Sequence, residues 1–224
     1  MKDILKNALS RGQKALSEFD SKNLVAAAGV RVSKNRLATS GDEAVAFAKE
    51  MGFPVVLKGC SDTLTHKTEM GMVKLKLKNA EEVRAAYDEI TGKGVALDGV
   101  IVQEWIEGDN REFVIGLTRD PQFGPCVMFG LGGIFTEVLK DVSFRVAPLS
   151  PFDAEEMIDE IKTNKILGEF RGSPSVDRAE LAKALIGIGK LGMDHEEIAE
   201  IDINPLVISD SRPVAVDALV ILKN

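Results

Sequence analysis

Several groups of residues in this sequence have types and spacings suited to chemistry. The first is a histidine on a polar loop. Residues 61–71, SDTLTHKTEMG, lie between two strand-like runs and hold four hydroxyl side chains (Ser61, Thr63, Thr65, Thr68), charges of both signs, and His66, one of only 2 histidines in the chain. Imidazole exchanges protons near neutral pH and is a workable nucleophile. The plainer reading is a solvated loop side chain. His195, in MDHEEIAE, sits among acids near a helix start and reads as structural. No Ser-His-Asp or Cys-His arrangement is suggested by the spacing.

Lys58 ends the apolar run FPVVLK. A lysine at the end of a buried strand can project a compact charge into a cleft, where it suits phosphate; a snorkelling surface lysine shows the same pattern. Near the C-terminus, Asp202 and Asn204 stand two apart in EIDINPLVI, so they share one strand face. If Val207 and Ile208 pair back onto Val214 and Ala215 across the SDSRP turn, Asp217 falls almost opposite Asn204. Two or three hard oxygens so placed form a magnesium-type donor set. Solvated strand-end carboxylates are the alternative, although the apolar run around them favours purposeful placement. In FGLGGIFTE, Gly130, Gly132 and Gly133 let backbone amides turn toward an anion, or simply make a tight connection. The GxGxxG fingerprint and the P-loop lysine are both missing from this run. Arg145, on the next strand, could add a fixed positive fork.

These groups need elements to hold them. Leu5, Leu9, Leu16 and Phe19 fall on one stripe and predict a helix over residues 3–18. Ser40 with Glu43, and Asn79 with Glu82, are capping signatures for two more helices; Gly52 and Phe53-Pro54 end the first, and Gly92 and Gly94 the second. Residues 55–58 read as a buried strand, and 72–78 as an alternating one with Val73, Leu75 and Leu77 on one face. From Gly99 onward, VIVQEWI, REFVIGLTRD, PCVMFG and DVSFRVAPL read as four strands. Helices follow over about 153–163 and 178–192, the latter capped by Asp177 with Glu180, before a C-terminal hairpin. The expected class is α+β in two lobes: an N-terminal helix (1–19), a lobe of two strands and two helices (20–98), and a mostly antiparallel sheet covered by helices (99–224).

Composition narrows the function classes. The chain has 224 residues, 45% hydrophobic and 28% charged, with net charge −7. The acidic balance argues against a surface for nucleic-acid phosphates. No apolar run approaches the ~20 residues of a membrane span. The amphipathic start, MKDILKNALSRGQKAL, carries an early Asp3 and does not read as a signal peptide. The only cysteines, Cys60 and Cys126, suggest neither a metal knuckle nor a disulfide framework, so a reducing cytoplasm is the expected compartment.

The segments FPVVLKGCSDTLTHKTEMGMVKL, GVIVQEWIEGDNREFVIGLTRDPQFGPCVMFGLGGIFTEVLKDVSFRVAPLS, and EIDINPLVI with VAVDALVIL resemble the ATP-grasp subunit of ADP-forming acyl-CoA synthetases. The resemblance is strongest to the β subunits of ADP-forming acetate–CoA ligases, and more distant to the β chain of succinyl-CoA synthetase. It runs from about residue 16 to residue 222. It implies an ATP-grasp fold with the nucleotide, ADP or ATP, between two lobes. It also implies a reversible reaction in which acyl-CoA, ADP and phosphate give the free acid, CoA and ATP. In this family a CoA-binding α subunit or domain forms an acyl phosphate and takes the phosphoryl group onto its own histidine; the ATP-grasp part receives it on a second histidine and passes it to ADP. His66 matches that second histidine, on a loop thought to swing between sites.

The other positions carry over one by one. Lys58 resembles the lysine that touches nucleotide phosphates. Gln103, Glu104, Trp105 and Ile106 resemble the hinge strand that receives adenine, and Glu112 the acid near the ribose. Asn204 and Asp217 match the Mg²⁺ ligands, and Asp202 an acid that can lie near the phosphohistidine instead. Arg145, Gly132 and Gly133 are expected on the phosphate side. Two departures stand out: Asp62 replaces a proline, and Met70-Gly71-Met72 replaces paired glycines. The CoA-binding portion lies outside these residues, so the implied enzyme is an α/β hetero-oligomer of α2β2 type, active only with its α partner. A free-standing ATP-grasp carboxylate ligase and a nucleotide-sensing regulatory module compete with this reading; the loop histidine argues against the first, and the intact set of His66, Lys58, Asn204 and Asp217 against the second.

Overall fold

The computed structural model describes residues 1–62, 69–133 and 141–223, so His66 lies outside the described residues. The chain divides into two compact units. The smaller comprises Ser17–Phe19 and Ser33–Ile106; the larger comprises Met1–Leu16, Asp20–Val32 and Glu107–Asn224. This differs from the expected boundaries at 19/20 and 98/99. The strand after Gly99 pairs backward into the smaller unit, while most of residues 1–32 packs with the C-terminal sheet.

The smaller unit is built on an antiparallel sheet of β1 (Asn35–Ala38), β2 (Val55–Cys60), β3 (Val73–Leu77) and β4 (Gly99–Glu104), in the order β1-β4-β2-β3. It therefore has four strands where two were expected. The short polar run NRLA carries little strand signal, and the sequence pattern groups β4 with the strands that follow it. Two helices, α1 (Gly41–Met51) and α2 (Ala80–Thr91), cover one face. Their starts follow from capping. Ser40 Oγ accepts from the Glu43 amide and Asn79 Oδ1 from the Glu82 amide, while each glutamate reaches back to the amide before the cap, Thr39 or Lys78. Such a cap contributes about 1 kcal/mol. Gly52 (φ 88°) ends α1 in a region that favours glycine. Val55, Leu57, Val100 and Val102 pack against Ala44, Ala48, Val83, Ala86 and Ile90. Strand periodicity thus turns Val56, Lys58 and Cys60 to the other face. In β3 the expected alternation fails. The register to β2 shifts and Lys76 takes φ 55°, so Leu77 packs with the helices, Val73 lies opposite Lys58 on the other face, and Leu75 is 59% exposed.

The larger unit holds β5 (Glu112–Asp120), β6 (Gly124–Leu131), β7 (Val142–Val146), β8 (Ile198–Ser209), β9 (Arg212–Ala215) and β10 (Leu219–Leu222). The strand order is β10-β8-β5-β6-β7, with β9 also paired to β8, and every pair is antiparallel. Helices α3 (Pro151–Glu160) and α4 (Arg178–Asp194) pack on it through Met157, Ile158, Leu181, Leu185 and Ile188, against Phe113, Ile115, Leu117, Val127, Ile201 and Ile203. Burying each such side chain contributes about 1.5–3 kcal/mol. The N-terminal helix is shorter than expected. Helix α5 (Lys2–Ser10) stops, the chain turns at Gly12 (φ 67°), and Leu16 and Lys14 then bond to β10 through Val220 and Leu222. Glu18 instead opens a separate helix, α6 (Glu18–Ala27). Among the described residues no helix is long and apolar enough to cross a membrane.

Candidate functional site

The flagged residues fall into two clusters, one in each unit. In the smaller unit, β2 and β4 are in register with Lys58 opposite Ile101 and Val56 opposite Gln103, and the Trp105 amide donates to the Pro54 carbonyl at 3.3 Å. Alternation then places Lys58, Gln103 and Trp105 on one face, the one turned away from α1 and α2. Both polar members are buried: Lys58 is 7% exposed and Gln103 3%. A buried ammonium needs a counter-charge, and here the Lys58 Nζ donates to Glu18 Oε1 at 2.6 Å, with the Glu18 side chain 1% exposed. The Lys76 ammonium lies 4.7 Å from the centre of the Trp105 ring. Glu104 points elsewhere: its Oε1 accepts from the Lys34 amide at 2.7 Å, and its own amide donates to the Lys34 carbonyl at 3.0 Å. Ile106, half-buried, closes the run. Burial pushes up the Cys60 thiol on the Lys58 face.

In the larger unit, β9 and β10 run along the same edge of β8 as two pieces of one returning strand. Ala215 lies opposite Leu206 and Leu219 opposite Asp202, so the interrupted register puts Asp217 opposite Asn204. Asn204 stands where β5 and β8 shift register, beside Pro205. Asp202 and Asn204 share the face opposite buried Ile201 and Ile203. Burial first, then the neighbouring carboxylates Glu200 and Asp217, push the Asp202 carboxyl up to about 6. Among the described residues no three His, Cys, Asp or Glu side chains are grouped to hold a metal. The set here is instead two aspartates and an amide. All three offer hard oxygens, and like charge gathered on one face around a part-buried carboxyl is the electrostatics a cation relieves; the residues fit Mg²⁺.

Glu112 stands one strand over, opposite Val207, and its carbonyl accepts from the Gly132 amide at 2.8 Å. A side chain at Gly132 would put Cβ 2.5 Å from the Phe113 carbonyl oxygen, and Gly133 (φ 67°) would meet Glu112 Oε2 at 2.6 Å. This close approach explains the paired glycines and brings them to Glu112. Gly132→Ala is expected to cost about 1–3 kcal/mol by forcing backbone apart, with ADP affinity falling in parallel; urea unfolding and an ADP titration on one sample check both.

Arg145 does not join them. It lies opposite Val127, which faces the helix-covered core, whereas Asp202 shares its row with Gly116, Met128 and Phe144. Its guanidinium pairs with Glu160 at 2.7 Å and Glu156 at 3.7 Å on α3, which raise its pKa further. The expected phosphate fork is therefore a sheet-to-helix tie on the other face. Glu18 was the residue missed. Placed within one long expected helix, it showed no sign of being the buried partner of a lysine 40 residues away.

A model of the ATP-grasp domain matches residues 7–222. The chain is 42% identical over 227 residues to the β subunit of ADP-forming acetate–CoA ligase I of Pyrococcus furiosus, covering 99% of this chain and 97% of that one. It is also similar to structures of the dinucleotide-forming acetyl-coenzyme A synthetase 1 of Ca. Korarchaeum cryptofilum. One, with coenzyme A, acetyl-coenzyme A and a phosphorylated phosphohistidine segment in a site I orientation, matches at 46% identity and TM-score 0.91 over 99% of each chain. Another, with coenzyme A and Mg-AMPPCP and the phosphohistidine segment pointing towards the nucleotide-binding site, matches at 47% identity and TM-score 0.89 over 99% of each chain.

Proposed function

Because the chain belongs to the ATP-grasp family, among the β subunits of ADP-forming acetate–CoA ligases, we propose that it carries the nucleotide half-reaction of an ADP-forming acyl-CoA synthetase, with His66 as the phosphoryl carrier. The observation that carries this reading is the end-to-end match to a protein whose phosphohistidine segment has been seen both phosphorylated and turned to its nucleotide site.

His66 takes the phosphoryl group from a CoA-binding α subunit. In the transfer step an oxygen of the ADP β-phosphate attacks phosphorus, the P–N bond breaks, and the imidazole nitrogen takes up the electron pair and then a proton. Lys58 supplies fixed positive charge to the phosphates, and the Gln103–Trp105 face receives the base. Glu112 binds the ribose, and the Gly132-Gly133 turn approaches the phosphates. Asp202, Asn204 and Asp217 would hold Mg²⁺, which when bound supplies charge neutralisation at the phosphate oxygens. Positioning and charge neutralisation are what phosphoryl transfer mainly requires. The enzyme works in the cytoplasm as an α2β2 assembly.

Reconstitution tests this reading. The chain alone is expected to bind ADP without making ATP; adding the CoA-binding subunit, acyl-CoA, phosphate and Mg²⁺ starts synthesis. Ligase turnover by the chain alone would contradict it in favour of a free-standing carboxylate ligase. ADP binding with no synthesis in the complete mixture would favour a regulatory module.

A further inference from the structure

We propose that Glu18 is the positioning residue of Lys58, keeping the ammonium charged and fixed in its buried site so that it meets nucleotide phosphate without rearrangement. The inference rests on the assignment of Lys58 to the phosphates.

Glu18 and Lys58 come from different elements, the first turn of α6 and the middle of β2, yet meet at 2.6 Å with side chains 1% and 8% exposed. Water cannot stand in for either partner. An isolated ammonium this deeply buried would lose its proton well below the usual lysine value of about 10.4. A neutral amine attracts phosphate poorly and floats among rotamers. Glu18 fixes the ammonium from one side, and phosphate would meet the same charge. The carboxylate also sets a limit, because it repels the incoming anion. It therefore trades raw attraction for a charge that is always present.

The neighbouring elements carry charged groups of their own. On β2 itself, Cys60 feels Glu18 and Asp98, and its thiol is pushed up. On β3, Lys74 pairs with Glu89, and Lys76 lies over Trp105. Lys22, one turn further along α6, is fully buried as well.

The test uses the full chain, ADP and fixed Mg²⁺, with affinity followed by calorimetry. For the wild type, Kd should change by less than about twofold between pH 7.5 and 9, since the paired ammonium keeps its proton throughout. In Glu18→Gln the amide accepts the same hydrogen bond without the charge. Lys58 then gives up its proton at lower pH, so Kd should rise about tenfold over that range. Calorimetry in two buffers of different ionisation heat should show proton uptake on binding at pH 9 in this variant only. Adding Lys58→Arg to Glu18→Gln should restore a flat profile, because a guanidinium keeps its proton.

A flat profile without proton uptake in folded Glu18→Gln overturns the inference. Lys58→Met separates this from the parent reading: wild-type affinity there overturns the Lys58 assignment, whereas weakened binding beside a flat Glu18→Gln profile overturns only the role of Glu18. Should Glu18→Gln not fold, Glu18→Asp decides. It retains charge on a shorter arm, so a flat profile with affinity down about threefold or more supports positioning, and unchanged affinity overturns it.

Discussion

Replacing His66 with alanine should abolish ATP synthesis by the reconstituted enzyme, by about a thousandfold or more, while leaving ADP affinity within about twofold. The asymmetry follows from the division of labour. The groups assigned to the nucleotide are Lys58, Gln103 and Trp105 on one sheet face of the smaller unit, and Glu112 with its glycine turn in the larger. Each of them sits on a strand or turn of its own unit. The proposed carrier is different in kind: it alone is assigned the P–N bond, so its loss would remove a covalent intermediate rather than weaken a contact. His66→Asn should behave alike, since an amide is no nucleophile here. His195 cannot substitute. It is 8% exposed, its Nδ1 lies 3.0 Å from Glu197 Oε1, and it caps the end of α4. Stopped-flow synthesis assays and ADP calorimetry, run on the same preparation, measure the two effects separately.

Asp217→Ala should lower kcat by about a hundredfold and raise the Mg²⁺ concentration needed for half-maximal rate by about tenfold. Asp217 sits where the returning strand breaks between β9 and β10, opposite Asn204 and near enough to Asp202 to raise its pKa. Removing it takes away one of two carboxylates in the proposed donor set. It also relieves repulsion on Asp202, so the remaining site is less negative as well as incomplete. A metal titration of the rate distinguishes this from simple loss of fold, because added Mg²⁺ should recover part of the activity. Asp217 Oδ1 accepts from the adjacent Ala218 amide at 2.8 Å, a local bond that contributes about 1 kcal/mol.

Where local chemistry decides structure, the sequence was informative. The caps at Ser40, Asn79 and Asp177 form as their spacing predicts, because a capping side chain and the amide it accepts from lie three residues apart. The C-terminal register was equally legible: the tight turn pairs Val207 with Val214 and Leu206 with Ala215, and that pairing carried on brings Asp217 to Asn204. What escaped was set by long-range packing. Strand β1 is four residues long and partly polar, and only its pairing with β4 makes it a strand. The β3 alternation was real in sequence and defeated by a bulge. The sequence places Arg145 on a strand but not on a face of the sheet, and the face decides its chemistry. Glu18 illustrates the same gap at the site itself. A helix-forming glutamate near the start of a chain has many possible surroundings, and its burial against Lys58 comes only from the folded unit.

The most direct test of the central claim is to follow labelled phosphate through the chain. With the CoA-binding subunit, acyl-CoA and ³²P-phosphate but no nucleotide, the wild-type chain should acquire label that is stable to base and lost in acid, as phosphoramidates are. A chase of unlabelled phosphate with ADP should move that label into ATP in a single turnover. Unlabelled wild-type chain, or label reaching ATP at the normal rate in His66→Ala, would contradict the account.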